Sequence, residues 1–184
     1  MDGVCGFGKD VAAKGAAIEG LLRRHPGAPD AGRGRPSLQG CEDVPWAGFA
    51  GCPAALPLVL RALFDRTAAP EAQGVLSGVL FDDVATMNAA MPAALPFLLR
   101  LASDPGVPVR AELRDVVVTA AELSESVAGQ SEAWVLWYGA DEDRPERALC
   151  RAVFAAHAGV VASLAADVAD PARRASLRQA AGLL

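Results

Sequence analysis

Pro53-Ala-Ala-Leu-Pro-Leu-Val-Leu-Arg-Ala-Leu-Phe-Asp65 and Pro92-Ala-Ala-Leu-Pro-Phe-Leu-Leu-Arg-Leu-Ala-Ser-Asp104 are two versions of one stretch. They stand 39 residues apart, and Pro, Ala, Ala, Leu, Pro, Leu, Arg and Asp recur in place. An internal repeat of this length is what arrays of helix pairs produce. Each copy is apolar on almost every side, which predicts a helix lying in the interior of a stack. A second helix is predicted after each, over about 70–86 and about 108–128. A looser third copy follows: Leu164-Ala-Ala-Asp167 echoes Leu101-Ala-Ser-Asp104, and Arg174-Ala-Ser-Leu-Arg178 echoes Arg110-Ala-Glu-Leu-Arg114. These offsets are 63 and 64 residues, so an insertion of roughly two dozen residues falls around 129–145.

Towards the N-terminus, a helix is predicted over about 10–24 (DVAAKGAAIEGLLRR). From His25 to Cys52 the chain is rich in Pro and Gly, and Trp46 and Phe49 are the side chains expected to pin it down. The expected organisation is a helix and a Pro/Gly-rich segment over 1–52, packed on or trailing from a helical repeat domain over 53–184.

Ala94-Leu-Pro-Phe-Leu-Leu-Arg-Leu-Ala-Ser-Asp-Pro-Gly-Val-Pro-Val-Arg-Ala111 resembles a HEAT repeat. The likeness lies in an apolar first helix with an early proline, an Asp-Pro turn, and a Val-Arg opening to the second helix. Asp104, Pro105, Val109 and Arg110 stand in the matching places. It covers residues 53–128 well and 146–184 loosely, although the first copy has Pro70-Glu71-Ala72-Gln73 where the Val-Arg pair belongs. The resemblance implies an all-α chain, a short right-handed stack of antiparallel helix pairs. It also implies a structural role for Asp104 and Arg110 in ladders along the turns. Such arrays are typically binding scaffolds, and a minority are enzymes.

Composition narrows the function classes. The chain has 184 residues, 52% hydrophobic, with a formal net charge of −5. That balance argues against affinity gained by neutralising nucleic-acid phosphates. Fifteen of the 17 basic residues are Arg, a GC-rich coding bias of the actinobacterial kind, hence an expectation of a bacterial chain. Charged residues interrupt the N-terminus, so no secretory signal is read there. The uncharged run Ala152–Ala166 has 15 residues, short of the about 20 that a membrane span needs. Cys5, Cys41, Cys52 and Cys150 form no disulfide framework and no pair at zinc-ligand spacing. The expectation is a cytoplasmic protein with no metal, no cofactor and no membrane contact.

Several residues carry candidate chemistry. Gly3-Val-Cys-Gly-Phe-Gly8-Lys9-Asp10 nearly fits a phosphate-binding loop, but Asp10 replaces the magnesium-ligating hydroxyl and no strand precedes it. His157 falls in a stripe with Leu149, Val153, Val160 and Leu164 on one predicted helix, as a core histidine or as a catalytic base. His25 follows Arg23 and Arg24, where it would cap the first helix. Asp82 and Asp83 are weak candidates for acid–base or metal chemistry, because adjacent helical positions diverge by about 100°. A turn-forming role together with Asn88 and Pro92 is the expected one.

The acidic segment is the most informative feature. Glu112, Asp115, Glu122, Glu125, Glu132, Asp141, Glu142 and Asp143 face one cation, Arg114, giving −7 within 32 residues. Glu112, Asp115, Glu122 and Glu125 share one side of a helix whose other side holds Leu113, Val116, Val117, Ala120, Leu123 and Val127. Trp134, Trp137 and Tyr138 follow inside the insertion. Aromatic anchors ringed by charge are the composition of a protein-binding hot spot, and equally of the end cap of a helical stack. The expected function is a non-catalytic interaction module, comparable to immunity proteins and inhibitors, that offers these residues to a basic protein. The first alternative is an enzyme of specialised metabolism using the concave face. The second is nucleic-acid processing, supported only by the net charge of +3 over 144–184.

Overall fold

The computed structural model describes residues 10–128 and 130–184. The near phosphate-loop pattern lies outside the described residues except for Asp10. Ten α-helices are present among them: α1 (Val11–Arg24), α2 (Ala28–Ala31), α3 (Leu56–Ala62), α4 (Ala69–Leu80), α5 (Met91–Ser103), α6 (Arg110–Leu123), α7 (Glu132–Tyr138), α8 (Pro145–Ala156), α9 (Ala158–Ala166) and α10 (Pro171–Ala180). No β-strand occurs among the described residues, only an antiparallel bridge between Phe81 and Met87. No single helix there is long and apolar enough to cross a membrane.

Proline marks where helices begin. Pro57, Pro70, Pro92, Pro145 and Pro171 each occupy one of the first two positions of a helix. There the missing N–H costs nothing and the fixed φ is already helical. Aspartate shapes the turns at repeat-equivalent positions. Asp65 accepts from the N–H groups of Thr67 and Ala68, both at 2.9 Å, and Asp104 accepts from Gly106 at 2.8 Å. Asp170 caps α10 in the same way, accepting from Ala172 at 2.8 Å.

The two repeat blocks are helical but unequal. α5 runs for 13 residues and α3 for only 7. Asn88 organises the entry to α5, where its side chain accepts from Ala90 N–H at 3.0 Å. Pro53 instead follows Gly51, whose φ of +71° turns the chain just before the block, so residues 53–55 stay a turn. The buried leucines nonetheless match, Leu56 and Leu60 in α3 with Leu95 and Leu99 in α5. The second helices are trimmed relative to expectation, α4 ending at Leu80 and α6 at Leu123.

Consecutive helices pack as α3 on α4, α5 on α6 and α9 on α10. Across these pairs α4 touches α6, α6 packs closely on α10, and α1 lies on α4. α5 meets α6, α8, α9 and the 3-10 turn Pro36–Leu38. The irregular segment is held by the pins expected of it. Trp46 is buried, donates to Cys41 O at 2.8 Å and meets the Phe97 ring at 6.1 Å, with Phe49 partly buried beside it. Arg61 and Arg100, equivalent in the repeat, both reach this segment. Arg61 pairs with Glu42, and Arg100 donates to the Gln39 carbonyl at 3.4 Å while covering the Phe97 ring.

Cys41, Cys52 and Cys150 are buried free thiols. Burial pushes the Cys52 thiol up to about 11 and that of Cys150 up to about 12, so both stay protonated and unreactive.

Candidate functional site

α6 splits as its sequence predicts. Leu113, Val116, Val117 and Ala120 are buried, and Glu112 and Asp115 face water. The carboxylate row is nevertheless only partly free. Arg173 of α10 reaches across it, its Nη1 3.1 Å from Asp115 Oδ1 and its Nε 3.2 Å from Glu122 Oε1. Arg114 crosses to Asp167 at 3.3 Å. Such exposed pairs contribute about 0–1 kcal/mol each; Arg173 ties α10 to α6, and Arg114 ties α6 to the end of α9. Asp104 bonds to Ser37 at 2.8 Å, and Arg110 forms no ion pair among the described residues.

The insertion holds the most exposed apolar surface. α7 (EAWVLWY) buries no residue; Leu136 is 89% exposed, Trp137 70% and Trp134 50%. Trp134 and Tyr138, one turn apart, stack with ring centroids 4.8 Å apart. Glu142 and Asp143, in the following 3-10 turn, are exposed. Lacking buried side chains, the insertion hangs on two arginines of α8. Arg147, itself buried, donates to the carbonyls of Tyr138 and Gly139, the latter at 3.1 Å, and to Asp141 Oδ1 at 3.3 Å. Arg151 donates to the Ser124 carbonyl. Asp141 completes the anchor by accepting from the Ser126 hydroxyl and from Val127 N–H. Gly139 makes the turn out of α7 with φ +77°, and a Cβ there would sit 3.1 Å from Arg144 Nε. Of the three acidic residues Asp141–Asp143, one is therefore an internal tether and two face outward.

The Ser126 hydrogen bond, with lesser help from Val127 N–H and Arg147, holds the Asp141 carboxyl below its ordinary range. A depressed carboxyl stabilises the fold above its unfolded pKa and loses that contribution as pH falls through the folded value. Protection of the amides of 124–128 and 130–144 against exchange is therefore expected to be full above the ordinary carboxylate pKa, to decline as pH falls below it, and to be lost once pH passes the lowered folded value. Arg147→Ala is expected to free the insertion at neutral pH. Losing hydrogen bonds to a charged group costs about 1.5–3 kcal/mol, so chymotryptic cleavage at Trp134–Tyr138 should rise by at least about tenfold. Unchanged cleavage would refute the anchoring role.

The other candidates are dispersed. Asp82 accepts from Lys14 Nζ at 2.5 Å and from Asn88 Nδ2 at 3.2 Å. Lys14 is 1% exposed and also donates to the Val79 carbonyl at 3.0 Å. Asp83 accepts from Ala85 N–H at 2.8 Å in a turn. The two acidic neighbours thus have separate structural roles. His25 is the C-cap residue of α1, with its Nε2 3.1 Å from Glu71 Oε2. His157 does not continue a stripe: it sits at the junction where α8 and α9 bend by 86°, half-buried, while Leu149 is 54% exposed. The inward face of α8 is Arg147, Cys150 and Phe154.

Asn88 takes part in the turn expected of it, whereas Lys14 is a polar residue not singled out from the sequence. Lys14 had a signal, since it lies four and seven residues before Ile18 and Leu21 on the apolar side of α1. A lysine in that position has its charge buried and must find a partner.

Two adjoining cavities run along α6. One of about 650 Å³ lies between Phe81, Asp83, Glu112 and Val116, the other of about 540 Å³ between Leu123, Glu125, Trp134 and Tyr138. Val84 and Thr119 line both. No group of three or more His, Cys, Asp or Glu side chains placed to hold a metal ion occurs among the described residues. Comparisons of the chain with models of known protein families, with curated proteins and with solved structures find no match.

Proposed function

We propose that this chain is a non-catalytic protein-binding module, a short HEAT-like stack that presents an acidic, aromatic-bearing surface to a basic partner in the manner of an immunity or inhibitor protein. The observation that carries this reading is α7, a helix with exposed Leu136 and Trp137 and no buried residue of its own. Monomeric surfaces seldom leave such side chains bare together, and tryptophan is the residue most enriched at binding hot spots. Glu142 and Asp143 beside it supply charge that would speed encounter with a basic surface. The stacked architecture draws support from the pairing of α3 with α4, α5 with α6 and α9 with α10, and from the neighbouring second helices α4, α6 and α10. The equivalent roles of Asp65 and Asp104 add to it.

The enzyme reading needs a convergent acid–base pair. Asp82 is engaged by Lys14 and Asn88, and His157 lies at the α8–α9 junction, away from the cavities lined by Asp82 and Tyr138. The nucleic-acid reading needs free cations. Of the six arginines over 144–184, Arg147, Arg151, Arg173, Arg174 and Arg178 each donate to an acceptor of this chain, and Arg144 alone of them has no such partner among the described residues, which is too little for a cationic groove.

The test is quantitative affinity capture with the full chain. Leu136→Ala with Trp137→Ala should weaken partner retention by about thirtyfold, as losing about 2 kcal/mol at a hot spot implies. Glu142→Lys with Asp143→Lys should flatten the salt dependence of association. Equal recovery of the same partners by wild type and both variants would refute the reading.

A further inference from the structure

We infer that the two adjoining cavities along α6 form one cleft that receives a segment of the partner protein in which arginine or lysine alternates with apolar residues. This inference rests on the protein-binding reading and adds a place and a chemistry to it. The cavities of about 650 and about 540 Å³ share Val84 and Thr119. The first presents mainly apolar surface, from Phe81, Val84 and Val116, whereas the second mixes Leu123 and the Trp134–Tyr138 stack evenly with polar groups such as Ser126 and Gln130. Val84 stands 89% exposed at the boundary between them. The apolar side chains along the cleft offer the aliphatic groups of a peptide a place out of water.

Charge decides the occupant. Asp83, Glu112 and Glu125 stand at the margins of the cleft, are exposed, and make no ion pair among the described residues. Asp82, Asp115 and Glu122, which also line it, are already matched by Lys14 and Arg173. Among the described residues, the only cation lining either cavity is Arg147, and it is occupied by Asp141 and two carbonyls. An acidic peptide, a nucleic acid or an anionic lipid surface would meet uncompensated like charge. An extended basic segment would not. Its side chains point alternately to opposite sides, so apolar residues enter the channel while guanidinium or ammonium groups meet the marginal carboxylates. At the far end the stacked Trp134 and Tyr138 rings offer a face to an arginine.

The experiment uses the full chain and two acetylated, amidated decapeptides, one alternating Arg and Leu and the other Glu and Leu, followed by titration calorimetry. The Arg–Leu peptide should bind with an affinity that falls as salt rises, and the Glu–Leu peptide should not bind. Asp83→Asn, Glu112→Gln and Glu125→Gln combined keep the shape and hydrogen-bonding capacity of each side chain. They should weaken the Arg–Leu peptide by about tenfold or more, because three marginal contacts of about 0.5 kcal/mol each are removed. Leu149→Ala, an exposed apolar side chain of α8 that lines neither cavity, should leave peptide affinity unchanged. No binding of the Arg–Leu peptide at millimolar concentration, equal binding of both peptides, or indifference to the triple substitution would each overturn the inference. A dimer in sedimentation that the triple substitution dissolves would also overturn it, showing a second copy as the occupant. Partner capture lost in the α7 variant but intact in the triple variant refutes the cleft and leaves the module reading standing. The reverse pattern refutes α7 and leaves the cleft.

Discussion

Lys14→Met is expected to destabilise the protein by about 3 kcal/mol, the low end for removing one partner of a buried ion pair. For a chain of this size that lowers the melting temperature by roughly 6–12 °C. The cause is the carboxylate stranded without its cation, more than the attraction that is removed. Lys14 is 1% exposed and ties Asp82 and the Val79 carbonyl to α1, and a thioether can satisfy neither. Asp82 is 27% exposed and keeps its bond to Asn88, which is why the low end applies. The same polar cluster reaches Ala50, whose carbonyl accepts from Asn88 at 3.0 Å, so the damage spreads from α1 to the entry of α5. Adding Asp82→Asn to Lys14→Met removes the stranded charge and should recover part of the loss. A double-mutant cycle showing strict additivity would mean that the pair is not coupled.

Gly32→Ala is the second large expected effect. A Cβ at that position would lie 2.5 Å from the Arg61 carbonyl oxygen and 2.6 Å from Arg61 Cα. These are backbone atoms of α3, a helix whose Leu56, Val59 and Leu60 are buried, so relief requires moving the helix. Overpacking of this kind costs about 3 kcal/mol or more. Gly34→Ala is the matched comparison. Its φ of +72° makes a side chain strained, but nothing stands within 4 Å of the added atom. The left-handed backbone alone costs about 1–2 kcal/mol. Chemical denaturation of the two variants separates these costs, and equal midpoints would dismiss the close approach as their cause.

These two sites also show what was legible in the sequence. The 39-residue register, the extent of α1 and the inward side of α6 follow from spacing and hydrophobicity alone. The length of α3 does not, because it depends on whether Asn88 or Gly51 precedes an otherwise matching block. The register of α8 was ambiguous for a different reason. Leu149 and Cys150 are both apolar and adjacent, so periodicity could select either stripe. Choosing Cys150 requires knowing that Arg147 turns inward to hold Tyr138, Gly139 and Asp141. The aromatic and acidic residues of the insertion stood out by composition. Which carboxylates are free depended on where Arg173 and Arg147 reach, and partners 6 to 58 positions distant leave no local signature.

Arg61 and Arg100 are matched members of a periodic pattern, yet both grip a stretch around residues 36–42 that has no counterpart elsewhere in the chain. One stretch is thus clamped by both copies at once, so a change within residues 36–42 is transmitted to the two blocks together.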